Sequence, residues 1–155
     1  MMVIIIMVVA AYACGNQNNT PSTIPVSDEK NGTVANGNPS YDPHRGEGKF
    51  KKVEIVASID AAMVAKGSNI FTVKCSACHK LTNEKLVGPG WKGVTSRLTA
   101  EWIMNFVTNT DAMLNKDPEA QAQLEICLVR MPNQNLTDDD ARNIYEFMRK
   151  NDVAK

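Results

Sequence analysis

Cys75, Cys78 and His79 stand in the run Cys75-Ser76-Ala77-Cys78-His79, and two thiols and an imidazole at this spacing are what covalent attachment of a c-type haem requires. Thiols about one helical turn apart can form thioethers to the two haem vinyl groups, and the adjacent His79 then falls beneath the iron as its proximal ligand. Two other chemistries use Cys-x-x-Cys. A zinc half-site needs a second ligand pair, and a thioredoxin-like redox pair wants a surrounding βαβ pattern. The sequence has neither context: Cys14 and Cys127 are isolated, and the other histidine, His44, lies in polar sequence well upstream.

The elements that must position this motif lie in the second half of the chain. From about Ser58 the pattern is helical, without alternating strand runs or an internal repeat. Ser58 or Asp60 can cap a first helix whose Met63, Gly67, Ile70, Phe71 and Lys74 lead into the haem motif, with Gly67, Phe71 and Cys75 recurring at intervals of four. Near the other end, Thr137 caps a helix with an acidic first turn, Asp138 to Asp140. Its apolar face is Ile144, Phe147 and Met148, and it ends in Arg149 and Lys150 as the macrodipole prefers. These two helices are expected to cross. Between them, Thr99-Ala100-Glu101 opens a helix containing Trp102, Ile103, Phe106 and Val107, and Asp117-Pro118-Glu119 opens another with Leu124, Cys127 and Leu128. Both are expected to wall the haem.

The Gly-x-x-x-Phe-x-x-x-Cys-x-x-Cys-His helix, a Gly-Pro loop after it, a late Met-Pro loop and a closing aromatic helix together resemble class I cytochrome c over residues 58 to 151. The resemblance implies an all-α fold of three to five helices around one covalently bound haem. It implies close approach of Gly67 to the last helix at Phe147, since glycine has no side chain to hold the backbones apart. It assigns to Pro89, in Val87-Gly88-Pro89-Gly90-Trp91, the carbonyl that accepts a hydrogen bond from the haem histidine, a bond that fixes the ring and raises its basicity. Trp102 matches a tryptophan that donates to a haem propionate, with core packing as its alternative.

The sixth ligand decides between electron transfer and gas binding, and the chain has 8 methionines. Met131 precedes Pro132 in the loop before the last helix and matches the family's methionine ligand. Met104 and Met148 fall within helices and are expected in the core. Met113, in the polar stretch TNTDAMLNKD, is the rival, and an open site is the further alternative. Cys127, one turn before Met131, is expected to be a small buried hydrophobe among Leu124, Ile126 and Leu128 rather than a thiolate ligand or redox switch.

A His and Met pair favours ferrous haem and closes the iron to substrates, which implies outer-sphere electron transfer. No nucleophile, carboxylate dyad or second metal motif is present, so the chain is not expected to be an enzyme. The alternative is a gas-binding sensor or peroxidase-like haem module with an open axial site. Charges suggest how partners dock. Five basic residues between Lys74 and Arg97 face only Glu84, whereas Glu101 to Asp140 holds eight acidic residues against Lys116 and Arg130. The net charge of zero therefore hides a dipole, and a basic rim around the haem would steer an acidic partner. Solvated surface charge is the alternative.

The front of the chain is different. Residues 1–13 are apolar, too short to span a bilayer but suited to an export signal, although no Lys or Arg precedes them and Lys30 is the first basic residue. Ala11-Tyr12-Ala13-Cys14 resembles a bacterial lipoprotein site with lipid on Cys14, although such sites prefer Leu where Ala11 stands and a small residue where Tyr12 stands. Plain cleavage after Ala13 is the alternative. In Gly15–Ser40, 19 of 26 residues are Gly, Asn, Pro, Ser, Thr or Gln, too polar to offset the entropy of ordering. Residues 14–49 are thus expected to be a flexible linker of roughly 30 to 35 Å reach, with a haem domain over 50–155. Residues 41–56 could also lie on that domain as an extended arm through Phe50, Val53, Ile55 and Val56.

KCSACHKLTNEKLVGPGWKGV and LEICLVRMPNQNLTDDDAR are similar to small lipoprotein cytochromes that accompany nitrous oxide reductase in Gram-negative bacteria. This likeness implies a periplasmic, membrane-tethered carrier taking electrons from a quinol-linked chain to that copper enzyme, with another reductase or a terminal oxidase as the alternative acceptor.

Overall fold

A computed structural model describes residues 41–154, and every element in them is helical. The residues read as an export signal, Cys14 and the residues to 40 read as a linker lie outside the described residues.

Helix α1 (Ala61–Ile70) begins where the Asp60 carboxylate accepts the N–H groups of Ala62 and Met63 at 2.8 and 2.9 Å, satisfying two donors that the first turn leaves without helical partners. It passes directly into a π-helical turn, Phe71–Cys75, closed by the Ser76 N–H on the Phe71 carbonyl at 2.9 Å. The closing helix α6 (Asp138–Val153) has a reciprocal cap: Thr137 accepts the Asp140 N–H while the Asp140 carboxylate accepts the Thr137 N–H, both at 3.1 Å. α1 and α6 cross at Gly67. Glu146 adds a polar tie, because its fully buried carboxylate accepts from the Asp60 N–H, Arg142 and Arg149.

Between these helices lie α2 (Val94–Arg97), α3 (Ala100–Thr108), α4 (Thr110–Lys116) and α5 (Pro118–Cys127). Thr99 caps α3 and Asp117 caps α5, with Pro118 in the first turn where its missing N–H costs nothing. The short α2 is capped from far away, since Asp152 on α6 accepts from the Gly93 and Thr95 N–H groups and the Thr95 hydroxyl at 2.6 to 2.8 Å. The polar stretch around Met113 forms α4 because Thr110, Met113 and Leu114 turn inward onto the core.

The linker was expected to run to residue 49, and here the structure differs. Residues 41–49 lie on the helices and continue into an arm that reaches Asp60. Tyr41 donates to Asp117, Thr99 to the His44 carbonyl, and the Glu47 N–H to Met113 Sδ at 3.0 Å. Asn105, fully buried on α3, uses its whole amide on the arm: Nδ2 donates to the Arg45 and Phe50 carbonyls, and Oδ1 accepts the Phe50 N–H, each at 2.9 Å. Farther along, Glu101 accepts from the Val53 N–H and Arg149 donates to the Ala57 carbonyl. The contacts expected through Phe50, Val53 and Ile55 are present, whereas Val56 is exposed. The arm is held by side chains instead of a strand ladder, so no alternating pattern marks it.

Candidate haem site

The π-helical turn delivers Cys75 to the domain interior, where burial above all pushes its thiol up to about 11, so the free thiol is un-ionised at neutral pH. The Cys75 carbonyl accepts the N–H groups of both Cys78 and His79 at 3.0 Å, which sets the second thiol and the imidazole one turn on.

His79 is fixed by the Gly-Pro loop. The Val87 and Gly88 N–H groups donate to the Cys78 carbonyl at 3.2 and 2.9 Å, and Trp91 N–H donates to the Lys80 carbonyl at 2.9 Å. Gly88 is required here because a Cβ would lie 2.4 Å from His79 Cε1. Pro89 then places its carbonyl 2.8 Å from His79 Nδ1. A carbonyl only accepts, so Nδ1 carries the proton and Nε2 keeps its lone pair. Burial lowers the His79 pKa and the Pro89 bond works against it, with the net shift downward, so the ring is neutral and able to ligate. A run of aromatic contacts backs the ring: His79 to Trp91 at 5.5 Å between centroids, Trp91 to Phe71 at 4.9 Å, and Phe71 to Phe147 at 5.5 Å.

Two clefts open around this ring, and both are bordered by His79, Pro89, Phe106, Gln123 and Met131. Cys78, Leu114, Leu124 and Cys127 line the first; Trp91, Trp102, Ile103, Val107 and Met148 line the second. The site residues read from the sequence therefore converge: Cys78, His79, Pro89, Trp102 and Met131 face one divided crevice, with Cys75 buried at the head of the motif. Met113 lies elsewhere. It is fully buried under the arm, and a Cβ on Gly46 would meet its Sδ at 2.6 Å.

The crevice suits a flat, largely apolar macrocycle with a polar edge. Its walls are aliphatic and aromatic, an imidazole with a free lone pair and a thioether border both halves, and thiols stand at the motif end. Trp102 supplies a further indication. Its Nε1 is the one buried side-chain polar atom without a partner among the described residues, while its ring stacks on Phe106 at 5.1 Å. A buried donor left unpaired is costly, and an acceptor on a bound group would satisfy it.

Two wall features and the bonding of the surface cations were not apparent in the sequence. Gln123 borders both clefts, from a helix with no marked apolar stripe. Cys127 was expected to be a buried hydrophobe; it is half-buried in the cleft wall, while its neighbours Ile126 and Leu128 are 67 % and 84 % exposed. The cations read as a basic rim are largely tied down. Lys74, Lys85 and Lys92 donate to carbonyls of Gln134, Ile126 and Asn151, Lys80 pairs with Glu84, and Arg97 donates to the Lys92 carbonyl.

An all-helical domain that converges a Cys-x-x-Cys-His motif and a methionine on an apolar crevice defines a covalent-haem protein. Residues 64–152 match the family model for cytochrome c, and the chain belongs to that family. Among solved structures it is similar to cytochrome c from Rhodothermus marinus, with 32% identity over 67% of this chain and 89% of that one and a TM-score of 0.65. An engineered form of that cytochrome matches at 30% identity over 71% of this chain and 97% of that one, with a TM-score of 0.67. Among curated proteins, the search found no match. The fold is that of class I cytochrome c, the cofactor is one covalent haem c with its iron, and the work of such a domain is electron transfer.

Proposed function

We propose that this chain is a periplasmic monohaem carrier that passes single electrons between a quinol-linked donor and a terminal reductase, without turning over a substrate of its own. In this reading Cys75 and Cys78 would hold the haem through thioethers, His79 Nε2 and Met131 Sδ would ligate its iron, and Trp102 Nε1 would donate to a propionate. When bound, the haem supplies a one-electron couple, and a methionine opposite a histidine sets it toward high potential. The chain's own residues hold the ring of His79 through Pro89, exclude water with Phe106, Leu124, Ile103 and Val107, and leave one edge open to partners.

The observation that carries the reading is that His79 and Met131 both border both halves of the crevice, so an imidazole and a thioether are both within the space a haem would fill. The sequence likeness to lipoprotein cytochromes supports nitrous oxide reductase as the acceptor and a lipid on Cys14 as the membrane tether. No described helix is long and apolar enough to cross a membrane, so a tether of that kind would have to lie outside these helices.

The test is an optical and near-infrared spectrum of the holoprotein in both oxidation states, with and without carbon monoxide, for wild type and Met131→Ala. A methionine-to-iron charge-transfer band in wild type alone, with carbon monoxide binding only after Met131 is removed, is expected. Ready carbon monoxide binding by wild type would instead establish an open axial site and a sensor or peroxidase-like module. The acceptor is tested by reduction of purified nitrous oxide reductase, where failure would send the search to other reductases or an oxidase.

A further inference from the structure

The cytochrome c match begins at residue 64, yet the groups that fix Trp102 meet an earlier part of the chain, residues 44–50 of the arm. The Thr99 hydroxyl donates to the His44 carbonyl while its oxygen accepts the Trp102 N–H at 3.1 Å, so one side chain joins the arm to the tryptophan backbone. One turn beyond Trp102, Asn105 uses its amide on Arg45 and Phe50. Between these ties Gly46 lies against the indole: a Cβ there would stand 3.3 Å from Trp102 Cδ1, the ring atom bonded to Nε1. Gly46 has φ 64°, a conformation open to glycine, and without a side chain its backbone can lie this close.

The neighbouring face of α3 looks into the crevice. Ile103, Phe106 and Val107 line the second cleft together with Trp102, which stacks on Phe106. Trp102 therefore belongs to both faces, touched by the arm on one and open to the cleft on the other. Its Nε1 is buried and has no partner among the described residues. An indole turns about two side-chain bonds, and its donor is aimed at an acceptor only when both are held. Phe106 confines the face of the ring, and Gly46 closes the edge next to Nε1.

We propose that the arm is a positioning element of the haem site: Gly46, with Thr99 and Asn105, holds Trp102 so that Nε1 is fixed toward the acidic edge of the bound group, and the seated arm thereby raises the reduction potential. This rests on the electron-carrier reading. A donor held against an ionised carboxylate offsets its negative charge, and a less negative edge favours ferrous iron. The seated arm also keeps water from the ring, and the dryness of the surroundings is a second control on potential. Releasing the arm frees the indole and admits water, and both changes favour ferric iron. Met113, whose Sδ accepts the Glu47 N–H at 3.0 Å, adds a further tie beside Gly46 and has its role here and not at the iron.

The experiment releases the arm from either side in the full-length holoprotein. Gly46→Val puts a branched side chain at a positive φ and against Met113, and Asn105→Ala removes the amide that clasps Arg45 and Phe50. Two readouts are taken: exchange of the indole N–H with solvent, by NMR of the ferrous form, and the reduction potential. The chain has 2 tryptophans, so the signal lost in Trp102→Phe assigns the indole. Both variants are expected to speed Trp102 indole exchange at least about tenfold. Both should also shift the one-electron equilibrium toward ferric by about tenfold, which is about 59 mV. In a Trp102→Phe background, Gly46→Val should move that equilibrium less than about twofold, since the arm then has no indole to hold. Indole exchange as slow as in wild type in both variants would overturn the proposal, and so would an unchanged potential. An equal fall in potential without the indole would also overturn it, because the arm would then act through general entry of water. The exchange readout needs no second substitution and decides the hold on Trp102 even where the double variant does not fold. A wild-type holoprotein with no reversible one-electron couple would instead tell against the electron-carrier reading itself.

Discussion

Gly67 meets Asn143 backbone to backbone: a Cβ on Gly67 would lie 2.2 Å from the Asn143 carbonyl oxygen and 2.7 Å from Phe147 Cβ. This is the point at which α1 and α6 cross, and through Phe71 and Phe147 it sits at the far end of the aromatic contacts that back His79.

Gly67→Ala is therefore expected to destabilise the holoprotein by about 1 to 3 kcal/mol, because the helices must separate to admit a methyl against a backbone atom that cannot rotate away. Thermal unfolding followed by circular dichroism measures it. In an open helix the same change would stabilise by up to about 1 kcal/mol through helix propensity. The sign alone thus decides whether the crossing is as tight as described.

Asn105→Ala should release the arm. Three hydrogen bonds to Arg45 and Phe50 are lost, and the arm groups they satisfied lose their partners. The expected cost is about 2 to 3 kcal/mol. Hydrogen exchange would localise it: the Phe50 and Glu47 amides should exchange far faster than in wild type, with α1 and α6 amides changed only by the global loss. Equal acceleration everywhere would mean that Asn105 supports the core and not the arm in particular.

Glu146→Gln tests the buried carboxylate that joins α6 to the start of α1. Burial alone would raise the Glu146 pKa, but hydrogen bonds from Arg142, the Asp60 N–H and Arg149 hold it below the ordinary carboxylate value. A folded pKa below the unfolded one gives stability that is present above the unfolded value and lost as pH falls through the folded one. The variant should be about 3 kcal/mol less stable at pH 7, and the gap to wild type should close below about pH 4. Denaturant titrations between neutral and acid pH check this; a gap that stays constant would mean that the charge of Glu146 contributes nothing.

Much of the fold was legible because its signals are local. Asp60, Thr99, Asp117 and Thr137 cap helices through bonds to residues two or three positions away, and such pairs are visible in a linear string. The family resemblance also pointed to the haem motif, Pro89 and Met131, and the structure places the Pro89 carbonyl on His79 and Met131 beside both clefts. What escaped notice depends on distant partners. Asn105 reads as an ordinary polar helix residue until the arm, 55 and 60 positions earlier, is laid across it. Met113 reads as a rival ligand in a polar stretch, yet it is fully buried and the same arm packs on it. Nothing in a leucine announces a left-handed backbone, so Leu128, which ends α5 at φ 61°, gave no turn signal. The bonds from Lys74, Lys85 and Lys92 to backbone carbonyls escaped notice because such acceptors carry no residue code.

The arm also bears on the order of folding. The side-chain hydrogen bonds that hold it to the helices join residues 48 to 92 positions apart in the chain, from Val53 with Glu101 to Ala57 with Arg149. Closing such loops before their far ends are structured loses chain entropy with no contact to offset it. The arm is thus expected to seat only after the helices that supply its partners have formed.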